Sequence, residues 1–371
     1  MNNISKKGFY PKFDDEGVVV MLSSSDEFSK YLAVCIQSII DTANKDRFYD
    51  IVIFERNISE VNKDKILSLQ HEDNVSVRFF SVKEHMKGFK FFLNSERISE
   101  ETYYGLIIPF ILNNFKKAII MDCDMIVRHD LYDLYNTDLE GKTIGGVNDI
   151  VLNGWLNDRN GKDAWEYYKN YLKVKDPYKF FNGGLIVLNF EKYRSIYTKN
   201  DIYNYINNYQ LRVVDQDVFN IMLEGDSKLI DCRWNHMIYL EGAISEAIED
   251  ASEDIKEKYF NSRKNPYVVH YAGDVKPWND PDVEFASLFW MTARKTPFYE
   301  NILFAGVERK SREIVCSHQV IYHCGVLRKI FTPYREDVIK RKIKGALNKD
   351  SFLYKVTRRI YFRLIGRPYT K

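Results

Sequence analysis

Ala118-Ile119-Ile120-Met121-Asp122-Cys123-Asp124 is an apolar run that ends abruptly in two carboxylates. Lys116-Lys117 precede it and Arg128-His129-Asp130 follow, so it reads as one short buried strand. Strands covered on both faces are continuously apolar, which puts this one in a sheet flanked by helices. Ligands of open α/β sheets bind just past the carboxyl ends of strands, where Asp122 and Asp124 fall. Side chains two apart on a strand share a face, so the two carboxylates can converge on one cation. Acids this close repel, and a divalent metal relieves the repulsion. The competing use for such acids is to cap a following turn or helix.

The same pattern repeats on either side. Gly17 to Leu22 reads as a first buried strand, and Ser23-Ser24-Ser25-Asp26 then turns the chain with hydroxyls and a carboxylate on offer. Tyr31 to Asp41 carries Leu32, Cys35, Ile36, Ile39 and Ile40 at helical spacing. Asp50 to Phe54 predicts a second strand, Val61 to Leu69 a helix, and Val75 to Phe80 a third strand. This strand–helix rhythm predicts a mostly parallel, Rossmann-like α/β sheet between helical layers. Further along, the expectations are a helix over 102–113 bent at Pro109, a strand over 143–147 and a helix over 162–172.

Three later stretches carry chemistry. Phe181-Asn182-Gly183-Gly184 reads as a glycine turn leading into a strand, and paired glycines also permit close backbone approach. Asp215-Gln216-Asp217 opens a helical stretch, where acids also suit the helix dipole. His270 ends a predicted strand and is followed by Gly273, Lys276, Pro277 and Trp278. Imidazole suits transition metals, and lysine supplies a point charge for phosphate. Taken singly, His270 fits a satisfied structural histidine better than a ligand.

The whole composition narrows the class. The 371 residues carry a net charge of +2, but residues 301–371 hold 17 Lys or Arg against 5 Asp or Glu. The first 300 residues hold 37 basic and 47 acidic side chains, which argues against a nucleic-acid-binding body and for a tail with its own partner. Five cysteines without framework spacing fit a reducing compartment. The first residues lack an apolar segment of signal-peptide type, and no apolar run approaches spanning length. The expected location is cytoplasmic.

In this order, the motifs resemble glycosyltransferase family 8, which includes bacterial lipopolysaccharide galactosyl- and glucosyltransferases and glycogenin. The resemblance covers about residues 17–300. It joins Ser24-Ser25-Asp26, Thr102-Tyr103-Tyr104, Asp122-Cys123-Asp124, Asn182-Gly183-Gly184, Asp215-Gln216-Asp217 and His270-x-x-Gly273-x-x-Lys276-Pro277-Trp278. It implies a GT-A nucleotide-sugar-binding fold over 1–300 and a retaining hexosyltransferase. The implied donor is UDP-glucose or UDP-galactose, and the acceptor a glycan or glycolipid of a surface polysaccharide. By the same resemblance Asp122, Asp124 and His270 ligate Mn²⁺, with Mg²⁺ as the alternative. Ser24, Asp26, Tyr31, Cys123, Gly183, Gly273 and Lys276 contact the nucleotide-sugar, and Asn182, Asp215 and Gln216 serve the transferred sugar. The amide oxygen of Gln216 is expected to face positive charge developing at the anomeric carbon, and a covalent route through Asp215 is the competitor. The sequence departs from the family at Gly105, where an arginine usually touches the donor, and at Ser25, often an acid. Two other roles stay open: a glycogenin-like self-glycosylating enzyme, and a silent UDP-sugar-binding or membrane-adaptor protein.

Residues 301–371 are expected to be a basic, largely helical membrane-association region. Leu353, Val356, Ile360 and Leu364 recur at helical spacing beside Lys355, Arg358, Arg359 and Arg363, and 338–344 add four cations in seven residues. That composition suits a helix on an anionic surface, placing the protein on the inner face of the cell membrane. Cys316, His318, His323 and Cys324 match no usual zinc spacing.

Overall fold

The computed structural model describes residues 8–13, 17–87, 99–158, 162–238 and 243–309. By internal contacts the chain divides into two compact units, Met1–Ile302 and Leu303–Lys371. The tail segments 338–344 and 353–364 and the four Cys and His residues from 316 to 324 lie outside the described residues. No described helix is long and apolar enough to cross a membrane.

The first unit begins β1 (Gly17–Ser23), α1 (Ser29–Thr42), β2 (Phe48–Glu55), α2 (Glu60–Leu67), β3 (Val75–Ser81), α3 (Tyr104–Ile111) and β4 (Lys117–Met121). It continues through β5 (Met125–Val127), α4 (Leu131–Tyr135), β6 (Ile144–Asn148), α5 (Ile150–Asn157), α6 (Lys162–Trp165) and β7 (Phe181–Asn189). Then follow α7 (Phe190–Ile196), α8 (Lys199–Asn208), α9 (Val214–Met222), β8 (Ser227–Leu229), β9 (His236–Met237), α10 (Ala243–Asp250), α11 (Glu253–Lys264), β10 (Val268–His270) and α12 (Ala286–Ala293). The main sheet has seven strands in the order β3-β2-β1-β4-β7-β6-β8. Strands β3, β2, β1 and β4 run parallel, and β7 is antiparallel to both of its neighbours. A second sheet of three strands is ordered β5-β10-β9.

The apolar runs are continuous because both faces of the main sheet are covered. Val18, Val20 and Leu22 of β1 enter one core cluster, while Val19 and Met21 enter another across the sheet. Strand β7 divides the same way, with Leu185 and Val187 on one side and Ile186 and Leu188 on the other. Fully burying side chains of this size contributes roughly 1.5–3 kcal/mol each.

Four expectations change in the structure. The Asp122-Cys123-Asp124 segment is not strand: β4 stops at Met121, and the acids form a bend that carries the chain from the main sheet into β5. Gly183 and Gly184 are not a turn but lie inside β7, with neither at positive φ. The helix expected over 102–113 is a 3₁₀ turn, Glu100–Tyr103, followed by the shorter α3 around Pro109. The helix expected over 162–172 becomes a π turn after α6, over Glu166–Tyr171.

Candidate active site

Strand order sets the location. The chain builds β1, β2 and β3 outward in one direction and then crosses back to place β4 on the other side of β1. Ligands bind at such a reversal, beyond the carboxyl ends of the two central strands. Here those ends lead into Ser24–Asp26 and Asp122–Asp124.

The bend after β4 is pinned from both sheets. Asp122 N–H donates to the Gly184 carbonyl at 2.7 Å, and Tyr271 N–H donates to the Asp124 carbonyl at 3.0 Å. Antiparallel pairing of β5 with β10 sets Met125 opposite His270, so sheet register delivers the imidazole to the acids. His270 Nε2 lies 3.3 Å from Asp124 Oδ1 and 3.7 Å from Asp122 Oδ2. One ligand atom from each of the three residues lies within 4.8 Å of the others.

Three features fit this group to a divalent cation. Asp124 Oδ1 is buried without a hydrogen-bond donor. The donor set is two carboxylates and one imidazole, suited to a transition ion. Gly184 keeps the space clear: a Cβ there would lie 2.5 Å from His270 Cε1 and 2.7 Å from Asp122 Oδ2. The charges tell the same story. Asp122 keeps an open face, its side chain 56% exposed, yet surrounding protein and then the Asp124 charge push its carboxyl above the usual range. Burial also opposes ionisation of Asp124, but the Lys276 and His270 charges overcome it and hold that carboxyl below the usual range. Lys276 Nζ reaches Asp124 Oδ2 at 2.6 Å and the Tyr271 carbonyl at 2.5 Å.

Behind the acids lies a buried amide network. Gly183 N–H donates to Gln216 Oε1 at 2.9 Å, and Asn182 Nδ2 reaches the same oxygen at 3.2 Å. Gln216 Nε2 donates to Asp149 Oδ2 at 3.0 Å. Asp149 caps α5 with its other oxygen, which accepts Leu152 N–H at 3.0 Å. Asn235 Nδ2 donates to Asn182 Oδ1 at 2.9 Å, and Asn235 Oδ1 meets His270 Nδ1 at 2.9 Å. Backbone N–H groups at the start of α9 approach the half-buried Asp215 carboxyl, and burial pushes it up to about 7. The Asp215 charge adds to the upward push on the Asp122 carboxyl.

Sequence reasoning missed Asp149 and Asn235. Asp149 carried a signal, an Asp directly before an apolar helix, but that reads only as a cap. Asn235 ends a 3₁₀ turn (Cys232–Asn235) and carried none.

At the far end of β1, Ser24 is buried, with its N–H on the Phe54 carbonyl at 3.1 Å. Asp26 Oδ1 accepts Ser59 N–H, Ser59 Oγ and Asn62 Nδ2, each at 2.8 Å, tying the loop to the start of α2. Those contacts, the Ser59 N–H foremost, lower the Asp26 carboxyl. Tyr31 stacks on Trp278 with ring centroids 3.9 Å apart, which docks the Lys276-Pro277-Trp278 loop on α1. Gly273 N–H bonds the Ile238 carbonyl at 3.2 Å, and the buried Cys123 thiol reaches the Ser23 carbonyl at 3.2 Å. Gly105 faces the core, where a Cβ would meet Ile120 at 3.4 Å and Phe219 at 4.0 Å.

Residues 19–282 match the family described as glycosyl transferase family 8. The chain is 25% identical to General stress protein A of Bacillus subtilis, covering 71% of this chain and 88% of that protein. It is 29% identical to a putative glycosyltransferase of Haemophilus influenzae, covering 70% and 72%. Of solved structures, the WbbM bifunctional glycosyltransferase superposes with a TM-score of 0.71 at 28% identity. That match covers 80% of this chain and 52% of WbbM, so the chain spans about half its length. The galactosyltransferase LgtC, with a TM-score of 0.61 at 23% identity over 76% of this chain and 96% of that one, shares its GT-A fold.

Proposed function

We propose that this chain, which belongs to glycosyltransferase family 8, transfers glucose or galactose from a UDP-sugar to a glycan acceptor with retention of configuration. The observation that carries this reading is the convergence of Asp122, Asp124 and His270 at the reversal point of the sheet. These three residues would hold the cation, and the imidazole favours Mn²⁺ over Mg²⁺. When bound, such an ion supplies charge neutralisation for a departing diphosphate. Lys276 offers a point charge to phosphate oxygens from the same wall. Ser24, Asp26 and the Tyr31–Trp278 stack line the uridine end, with Cys123, Gly183 and Gly273 bringing backbone close to the donor.

In the transfer, the acceptor hydroxyl oxygen bonds to the anomeric carbon on the face from which UDP leaves. The bond from that carbon to phosphate oxygen breaks, and the hydroxyl proton passes to the departing diphosphate. An α-linked donor gives an α-linked product. The Gln216 oxygen already accepts from Gly183 and Asn182, which favours Asp215 as the negative group facing the developing charge. Gln216 then holds Asn182 and Asp149 in place. The acidic first 300 residues and basic 301–371 support work on a lipid-linked surface glycan at an anionic inner membrane face.

The deciding experiment is UDP release from a panel of UDP-sugars, with and without Mn²⁺, for wild type and Asp124→Ala. Mn²⁺-dependent release from one sugar, abolished by Asp124→Ala, is expected and names the donor. Absence of both UDP and Mn²⁺ binding in the wild type overturns the reading. A second role, binding UDP-sugar without transfer, is favoured by one observation only: Gly105 offers no charge to the donor and packs into the core. UDP binding with no turnover on any acceptor would select it, and sugar attached to the protein itself would select self-glycosylation.

A further inference from the structure

We infer that Asn235 is a positioning residue that fixes which nitrogen of His270 faces Asp122 and Asp124. Backbone hydrogens decide the orientations, because an amide N–H can only donate. Gly184 N–H points at Asn182 at 3.0 Å, so the Asn182 atom there is its oxygen. That oxygen also faces the Asn235 side chain at 2.9 Å, so the Asn235 atom is its NH₂. The remaining Asn235 atom, Oδ1, then faces His270 Nδ1 at 2.9 Å, and an acceptor there requires the hydrogen on Nδ1. In the neutral ring only Nε2 keeps a lone pair, and Nε2 is the atom turned to Asp124 and Asp122. Asn235 is 1% exposed and His270 3%, so water does not compete for these bonds.

Two consecutive amides of β7 therefore orient the two ends of the site. Gly183 sets Gln216, while Gly184 sets Asn182, then Asn235, then His270. Local structure supports the chain of bonds. Asn235 immediately precedes β9, and β9 pairs with β10 so that Met237 lies opposite His270. Partners of this kind hold the ring and tautomer of a ligating histidine, and losing one typically weakens metal binding 10–100-fold. A buried Asn that only satisfies polar neighbours would instead affect stability, with metal binding following it.

The inference rests on the proposed cation site, and its test keeps the two apart. Mn²⁺ alone is titrated into the full chain by electron paramagnetic resonance, without donor or nucleotide. Thermal unfolding and metal-free UDP binding are measured on the same samples. Asn235→Leu keeps the bulk but accepts nothing from His270, and Asn235→Ala serves if the leucine variant does not fold. Asn235→Asp keeps the acceptor for Nδ1–H, while its second oxygen replaces the donation to Asn182 Oδ1 with an opposed acceptor. The expected result is Mn²⁺ binding weakened about 10–100-fold in Asn235→Leu and within about threefold of wild type in Asn235→Asp, with UDP binding unchanged in both. Wild-type affinity in Asn235→Leu, or equal losses in both variants that track melting temperature, overturns the positioning role. If wild type itself binds no Mn²⁺, the cation reading fails and the inference goes with it, a result separate from the other two.

Discussion

Gly184 and His270 approach so closely that no side chain fits between them: a Cβ on Gly184 would lie 2.5 Å from His270 Cε1. The same Cβ would lie 2.7 Å from Asp122 Oδ2, so the obstruction falls on two of the three residues of the candidate metal group. His270 cannot swing away freely, because Asn235 holds its other nitrogen in a buried site. Gly184→Ala is therefore expected to weaken Mn²⁺ binding by at least about tenfold through misplaced ligands, with a smaller effect on melting temperature. Calorimetric Mn²⁺ titration beside a thermal melt checks it. Unchanged affinity would mean that the bend after β4 yields easily and that the glycine serves only strand packing.

The roles of Asp215 and Gln216 separate by kinetics. Burial pushes the Asp215 carboxyl up to about 7, so the group is mostly protonated at pH 6 and mostly charged at pH 8. If its charge faces the anomeric carbon, turnover at saturating Mn²⁺, which keeps Asp122 ionised, rises through pH 7, and Asp215→Asn loses about 10²-fold in kcat together with that rising limb. Gln216→Ala leaves Asp149 and Asn182 without their partner and is expected to act mainly on KM. A Gln216→Ala loss in kcat equal to that of Asp215→Asn would return the charge-stabilising role to the amide oxygen.

Much of this architecture was legible because both faces of the sheet are buried. The runs Val18 to Leu22 and Ala118 to Met121 read as covered strands, and the order of motifs placed the acids at strand ends. What the sequence could not convey was contact between segments far apart. Gly183-Gly184 reads as a turn because glycine pairs usually are turns. Only the approach of His270 and Gln216 explains why β7 must be bare there. Asp149 is hidden for another reason: one oxygen caps α5 and the other enters the site, and the cap alone accounts for the residue type. Asn235 belongs to a network that exists only once β9 and β10 pair.

Gly154 gives a stability prediction in which two effects oppose. In an exposed helix Gly→Ala stabilises by about 1 kcal/mol. Gly154 of α5, however, packs on the backbone of α10, and a Cβ there would lie 1.5 Å from the Ala247 carbonyl oxygen. Backbone cannot rotate away, so the two helices must separate. Gly154→Ala is expected to destabilise by about 3 kcal/mol or more, since overpacking of this kind exceeds the propensity gain. Urea unfolding measures the sign directly, and a stabilised variant would show that α10 is loosely held.

His236 sets an acid limit on stability. It lies on β9 with no exposed surface, stacks on Tyr259 at 4.9 Å and bonds Ser262 Oγ through Nδ1 at 2.8 Å. Its Nε2 is buried without a partner. Burial, helped by the Arg263 charge, lowers its pKa from 6.5 to about 4. Between those values the unfolded chain binds the extra proton, so this contribution is full above pH 6.5 and is lost as pH falls toward 4. The lost contribution is on the order of 3 kcal/mol. Asp122 and Asp215, both raised above the usual carboxylate range, act in the opposite direction, so the wild-type curve alone does not isolate the histidine. His236→Phe keeps a ring against Tyr259 and removes the titration. Urea unfolding of both proteins at pH 7.5 and pH 4 should show wild type losing about 3 kcal/mol more than the variant over that interval. Parallel losses would mean that the folded chain admits the proton at His236 without penalty.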